Sequence, residues 1–154
     1  MKKLIYILVL SLFVFNCSKN DDDEVVQCDT FLSCNNSITW KNVETFNNSE
    51  YSFYIKLNDN ENNPFKTWVS TSTIDCGYDY FGEPDMQFQV LENSKDKLIV
   101  KVIWPEGDDG YETWTMTIQN DRLKLVSVYY QQEQINILFD KTSENIDAFI
   151  FCEE

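Results

Sequence analysis

Tyr51-Ser52-Phe53-Tyr54-Ile55-Lys56-Leu57, residues 51–57, sets Tyr51, Phe53, Ile55 and Leu57 on one side of an extended chain. Successive side chains of a strand point to opposite faces, so this alternation predicts a strand that buries one face. The same period of two recurs on both sides of it. Downstream, Met86, Phe88 and Val90 alternate within residues 85–91, and Leu98, Val100, Val102 and Trp104 within 97–104, where Ile99 and Ile103 make the second face apolar as well. Trp114, Met116 and Ile118 alternate with threonines in 111–118. Leu123, Leu125, Val126 and Val128 mark 122–130, and Ile135, Ile137 and Phe139 mark 134–140. Upstream, residues 37–43 and 66–74 read as earlier strands, and 146–151 as a last one.

The links between these segments are short and polar: 92–96, 105–110, 120–121 and 131–133. Links of that length join antiparallel neighbours. About nine strands therefore form one all-β antiparallel meander. Left flat, it would expose an apolar face and two edges, so it must curl into a barrel or fold into a two-sheet β-sandwich. The barrel is the expectation. Residues 28–36 have room for one short helical turn before the first strand.

Trp40, near the start of the first strand, resembles the tryptophan of the Gly-x-Trp that opens many lipocalins, although Ile38 stands where the glycine should be. The resemblance implies a lipocalin-like up-and-down barrel. It also makes Arg122, the sole arginine, a candidate for the arginine that packs over that tryptophan.

The N-terminus carries an address. Lys2 and Lys3 precede an apolar run from Leu4 to Phe15, broken only by Ser11. A span of the bilayer needs about 20 apolar residues, so this run is a signal peptide, not an anchor helix. Val14-Phe15-Asn16-Cys17 resembles a relaxed lipobox of the kind found in lipoproteins of the Bacteroidota. Ser18-Lys19-Asn20-Asp21-Asp22-Asp23-Glu24 resembles the acidic tag that directs such lipoproteins to the outer face of the outer membrane. The resemblance implies three parts: a signal peptide over residues 1–16, a lipidated acidic tether over 17–27, and a single domain over 28–154. Acyl chains on Cys17 would be the membrane partner, each buried methylene adding about 0.8 kcal/mol.

The chain has 154 residues and a formal net charge of −14. Loss of residues 1–16 removes two lysines and makes it more negative still. Such a surface repels phosphate backbones and anionic headgroups, which argues against nucleic-acid binding and against a basic membrane patch.

With Cys17 committed to lipid, Cys28, Cys34, Cys76 and Cys152 remain, an even number in an oxidising compartment. No histidine accompanies them and their spacing lacks the close pairs of a zinc site, so disulfides are expected and metal ligation is not. In a meander each loop lies at a definite end. Cys28 and Cys34 precede the first strand at one end, whereas Cys76 and Cys152 follow the third and ninth strands at the other. The pairs expected are Cys28 with Cys34 and Cys76 with Cys152.

The absence of histidine removes the usual general base and the common nucleophile–histidine pairs. There is no Gly-rich phosphate loop and no nucleophile elbow. The chain is expected not to be an enzyme and to need no cofactor. Asp59, Glu61 and Asn63 alternate in an oxygen-rich run, but Pro64 and the missing glycine break the pattern of a calcium loop, which leaves a solvated hairpin. Glu106, Asp108 and Asp109 are interleaved with Gly107 and Gly110 as in a tight polar turn.

The loop Cys76-Gly77-Tyr78-Asp79-Tyr80-Phe81-Gly82-Glu83-Pro84 gathers three aromatics between two glycines. Over a barrel mouth, Tyr78, Tyr80 and Phe81, with Tyr129 and Tyr130, would stack on a flat ligand or a sugar. Alternatively they plug the end of the core. Two functions are consistent with this. One is a non-catalytic binding module for a small apolar or aromatic ligand, with a cavity lined by inward residues. The other is a protein-interaction or inhibitor module with a packed interior, docking through its acidic and aromatic loops.

Overall fold

The computed structural model describes residues 28–72, 76–81, 86–105, 110–129 and 134–152. Cys17, with the rest of segments 1–16 and 17–27, lies outside the described residues, as do Tyr130 and the acidic turn 106–109.

Nine strands follow one short helix: α1 (Phe31–Asn35), β1 (Thr39–Phe46), β2 (Ser49–Leu57), β3 (Phe65–Thr71), β4 (Gly77–Tyr78), β5 (Gln87–Asn93), β6 (Lys97–Ile103), β7 (Tyr111–Gln119), β8 (Arg122–Tyr129) and β9 (Gln134–Thr142). They form a single sheet in the order β4-β3-β2-β1-β9-β8-β7-β6-β5, all neighbours antiparallel. One sheet, not two, rules out the sandwich.

The sheet is a meander curled into a barrel-like shell. Its first and last strands pair, Trp40 opposite Lys141, so the interruption falls in mid-chain between β3–β4 and β5. Among the described residues rings bridge that seam where no ladder does. Phe65 of β3 lies 4.9 Å from Phe88 of β5, and Phe81 lies 5.6 Å from each. Two hairpins turn in two residues, Asn47-Asn48 and Asn120-Asp121, all four at positive φ. That conformation matches the twist of the flanking strands, and Asn and Asp tolerate it well.

The inward face follows from the register. Trp40, Ile55, Leu57, Leu98, Val100, Met116, Leu123, Leu125 and Phe139 are all at most 1% exposed and form one core. Helix α1 closes the adjacent end. Thr30 caps it reciprocally with Ser33, and Phe31 and Leu32 enter the core. The Leu32 N–H donates to Asn93 Oδ1 at 3.2 Å, tying the cap to β5.

Residues 146–151 are not the ninth ladder strand expected. Ile146–Ala148 is a 3-10 turn, and Phe151 makes only an isolated parallel bridge to Gly77. The last ladder strand is 134–142, and the chain after it crosses the outside of β1–β3 as a strap. Ile146 and Phe149 pack there on Tyr54 and Trp68, which face away from the main core. Charges hold the strap as well: Lys41 to Glu144 at 2.9 Å, and both Lys56 and Lys66 to Asp147. Both expected disulfides are present, Cys28–Cys34 and Cys76–Cys152, and the second fastens the strap to β4.

Arg122 does not cover Trp40. It pairs with Asp140 at 2.8 Å, next to the outward-facing pair Lys124 and Leu138, whereas Lys141 stands 5.4 Å from the Trp40 ring. The two tryptophan neighbours in the ladder explain this. Lys141 is directly opposite Trp40 and shares its face, and Arg122, one residue before inward Leu123, points the other way.

Candidate functional site

Along β2, β8 and β9 the inward residues pass from fully buried at the helix-capped end to exposed at the other, whereas on β7 the inward Ile118 is 37% exposed at the capped end. On β2, Leu57 and Ile55 are 0% exposed, Phe53 is half-buried, and Tyr51 is 37% exposed. On β8 the series Leu123, Leu125, Ser127, Tyr129 runs 0%, 1%, 7%, 45%, and on β9 Ile135 reaches 56% above buried Phe139. Close packing therefore fills the lower part of the barrel and stops short of the rim. We term this open end, with Phe53 and Trp114 beneath the partly exposed Tyr51, Tyr80, Tyr129 and Ile135 and with Trp104 beside Tyr80, the bowl.

The 76–81 loop divides its aromatics among different tasks. Asp79 accepts from Thr67 Oγ1 at 2.7 Å and from the Phe81 N–H at 3.1 Å, which locks the turn against β3. Phe81 is thereby driven into the seam, 8% exposed and 4.8 Å from Trp114. It is a plug. Tyr80, its neighbour, lies over the bowl, 5.6 Å from Phe53 and 6.4 Å from Trp104. Tyr78 is 57% exposed, paired with Val69 at the edge of the sheet. Tyr129 is at the rim, its ring filling the space beside Gly110, where a Cβ would meet the phenol oxygen at 2.8 Å. The structure thus brings Tyr80 and Tyr129 to one end and assigns Phe81 to the core. Tyr130 falls outside the described residues.

Glu112 was not singled out in the sequence. It lies opposite Val102 and Tyr129 on the inward face, one step above Trp114. One carboxylate oxygen, Oε2, accepts from Trp114 Nε1 at 2.6 Å and from Ser127 Oγ at 3.0 Å. No described lysine or arginine pairs with it. Burial, and then the Glu112 charge, push the Tyr80 phenol above its ordinary value, so Tyr80 is a neutral hydrogen-bond donor at physiological pH.

Among the described residues, grooves lie elsewhere at two places. One, of about 510 Å³, follows the seam between Asn58, Asn63, Lys66 and Met86 over the buried rings of Phe65 and Phe81. The other, of about 290 Å³, lies on the outer face beside Val43, Leu138 and Asp140. The run 58–64 that borders the first is a closed hairpin, Asn58 N–H donating to Pro64 O and Asn63 N–H to Asn60 O. Among the described residues no group of three or more metal-ligating side chains converges, and no helix is long and apolar enough to cross a membrane. No family model, no curated protein and no solved structure matches the chain.

Proposed function

We propose that the protein is a lipid-anchored, non-catalytic binding domain of the bacterial outer surface, which holds a small, flat, partly apolar ligand in the bowl at the open end of its barrel. The observation that carries this is the burial gradient along β2, β8 and β9: Tyr51, Tyr129 and Ile135, inward at that end, stand 37–56% exposed above the fully buried residues of the same strands. Concave apolar surface with a few polar groups is the usual form of a small-molecule site. The anchor rests on the Cys17 sequence context, and the tether 17–27 would hold the bowl clear of the headgroups.

The well-packed lower barrel favours a second reading, in which the occupant of the bowl is a side chain of a partner protein. Phe46, 65% exposed at the tip of the β1–β2 hairpin, would then widen the contact.

Native mass spectrometry of the mature protein taken from its producing cell separates these. A retained mass of a few hundred daltons supports the small-ligand reading, a retained polypeptide supports the second, and the bare mass at micromolar protein contradicts tight binding of either. For the anchor, detergent phase partitioning is the test. The mature protein enters the detergent phase and Cys17→Ala shifts it to water; an unmodified Cys17 sinks the assignment.

A further inference from the structure

The bowl is aromatic on its walls and carries a part-buried carboxylate, Glu112, on its inward face. We infer that its ligand is an organic cation, an ammonium attached to an apolar or aromatic body, with Glu112 as the counter-charge. The inference rests on the bowl as the binding site and adds the chemical class of what fills it.

Three observations converge. First, Glu112 is a part-buried carboxylate supported only by neutral donors, Trp114 Nε1 and Ser127 Oγ, both on Oε2, while Oε1 accepts nothing among the described residues. A carboxylate withdrawn from water gains most from a cation brought to its second oxygen, and the described residues supply none. Of the other described acids, Glu92, Asp140, Glu144 and Asp147 have a lysine or arginine partner, and Glu44, opposite Tyr51, is exposed; Glu112 is set apart by its part-buried place between Trp114 and Ser127.

Second, the rings around it have the arrangement that attracts ammonium groups. Tyr80 is 5.6 Å from Phe53 and 6.4 Å from Trp104, and Tyr129 is directly opposite Glu112 in the ladder. The negative faces of such rings stabilise a cation by about 0.5–2 kcal/mol each, most where water is excluded. Third, the formal net charge of −14 favours a cation approaching the domain over an anion of the same shape.

The test compares three probes of one size: 2-phenylethylamine, 2-phenylethanol and phenylacetate. Each is titrated into the folded mature protein at pH 7, with binding read by calorimetry and by tryptophan fluorescence. The amine is expected to bind about tenfold tighter than the alcohol, and the carboxylate weakest. Raising salt from 50 to 500 mM should weaken the amine and not the alcohol. Glu112→Gln should collapse the amine-to-alcohol ratio to near one. Should that variant not fold, as judged by its melting transition, the salt series on the unaltered protein decides the matter. Equal binding of amine and alcohol, independent of salt, overturns the cation inference and leaves the bowl standing as a binding site. Failure of all three probes to bind the folded protein at millimolar concentration overturns both.

Discussion

Trp40 is 0% exposed, and Lys141 stands over its ring from the paired strand. Truncation to Trp40→Ala removes the largest side chain of the closed end and should cost about 3–5 kcal/mol, read from urea denaturation. Lys141→Met, which keeps the stem and loses the charge, should cost at most about 1 kcal/mol. Gly77 presents a different constraint: a Cβ there would meet the Trp68 ring at 2.2 Å and the Val69 carbonyl at 2.6 Å. Gly77→Ala should therefore destabilise by about 1–3 kcal/mol, through displacement of the ring that seats the strap. Glu144 accepts from the Tyr54 hydroxyl at 2.5 Å and from Lys41, and these bonds hold its carboxyl below the usual range. Its contribution is thus complete above the ordinary glutamate range and is lost as pH falls through the lowered value. Since the side chain is 41% exposed, solvent screens the pair, and Glu144→Gln should flatten the acid limb of the melting profile by no more than about 1 kcal/mol.

At the scale of elements, the two disulfides close loops of very different length, with sequence separations of 6 and 76. If chain entropy dominates, removing the pair Cys76–Cys152 should cost about 4 kcal/mol and removing Cys28–Cys34 about 2 kcal/mol. Replacement of each pair by alanines, followed by denaturant unfolding, checks the order. Loss of the longer one should also free the strap and expose Trp68 to quenchers. The strands of the shell were legible because a half-buried sheet imposes period two on its sequence, and segments such as 51–57 and 97–104 keep it without a break. The strap was not legible as such. Ile146, Phe149 and Phe151 look like another apolar segment, and nothing local says that Ile146 and Phe149 cover the outside of β2 and β3. β4, at two residues, is too short to show a period. The site was half legible: the aromatic loop 76–84 stood out by composition, yet composition cannot divide Tyr80 from Phe81, because Asp79 sets that turn through bonds to β3. Glu112 could have been found by extending the phase of Trp114 and Met116 one step back, which places a carboxylate on the inward face.

For the whole molecule, the two ends of the barrel differ in every respect that matters for binding. The lower end is covered by α1, stapled by Cys28–Cys34 and filled by the fully buried Trp40, Leu123 and Phe139. The upper end leaves Tyr51, Tyr80, Tyr129 and Ile135 partly in water beside Glu112. A lipid on Cys17 would attach the tether ahead of α1, at the closed end, and so direct the bowl away from the membrane. The net charge of −14 favours the approach of a cation to the domain. The measurement that tests the bowl most directly is an NMR titration of the mature protein with 2-phenylethylamine, following the Ile135 methyls and the indole N–H signals of the tryptophans. Binding at the open end predicts shifts at Ile135, Trp104 and Trp114 with Trp40 unmoved; shifts centred on Trp40 or on the strap at Trp68, or none at all, would contradict it.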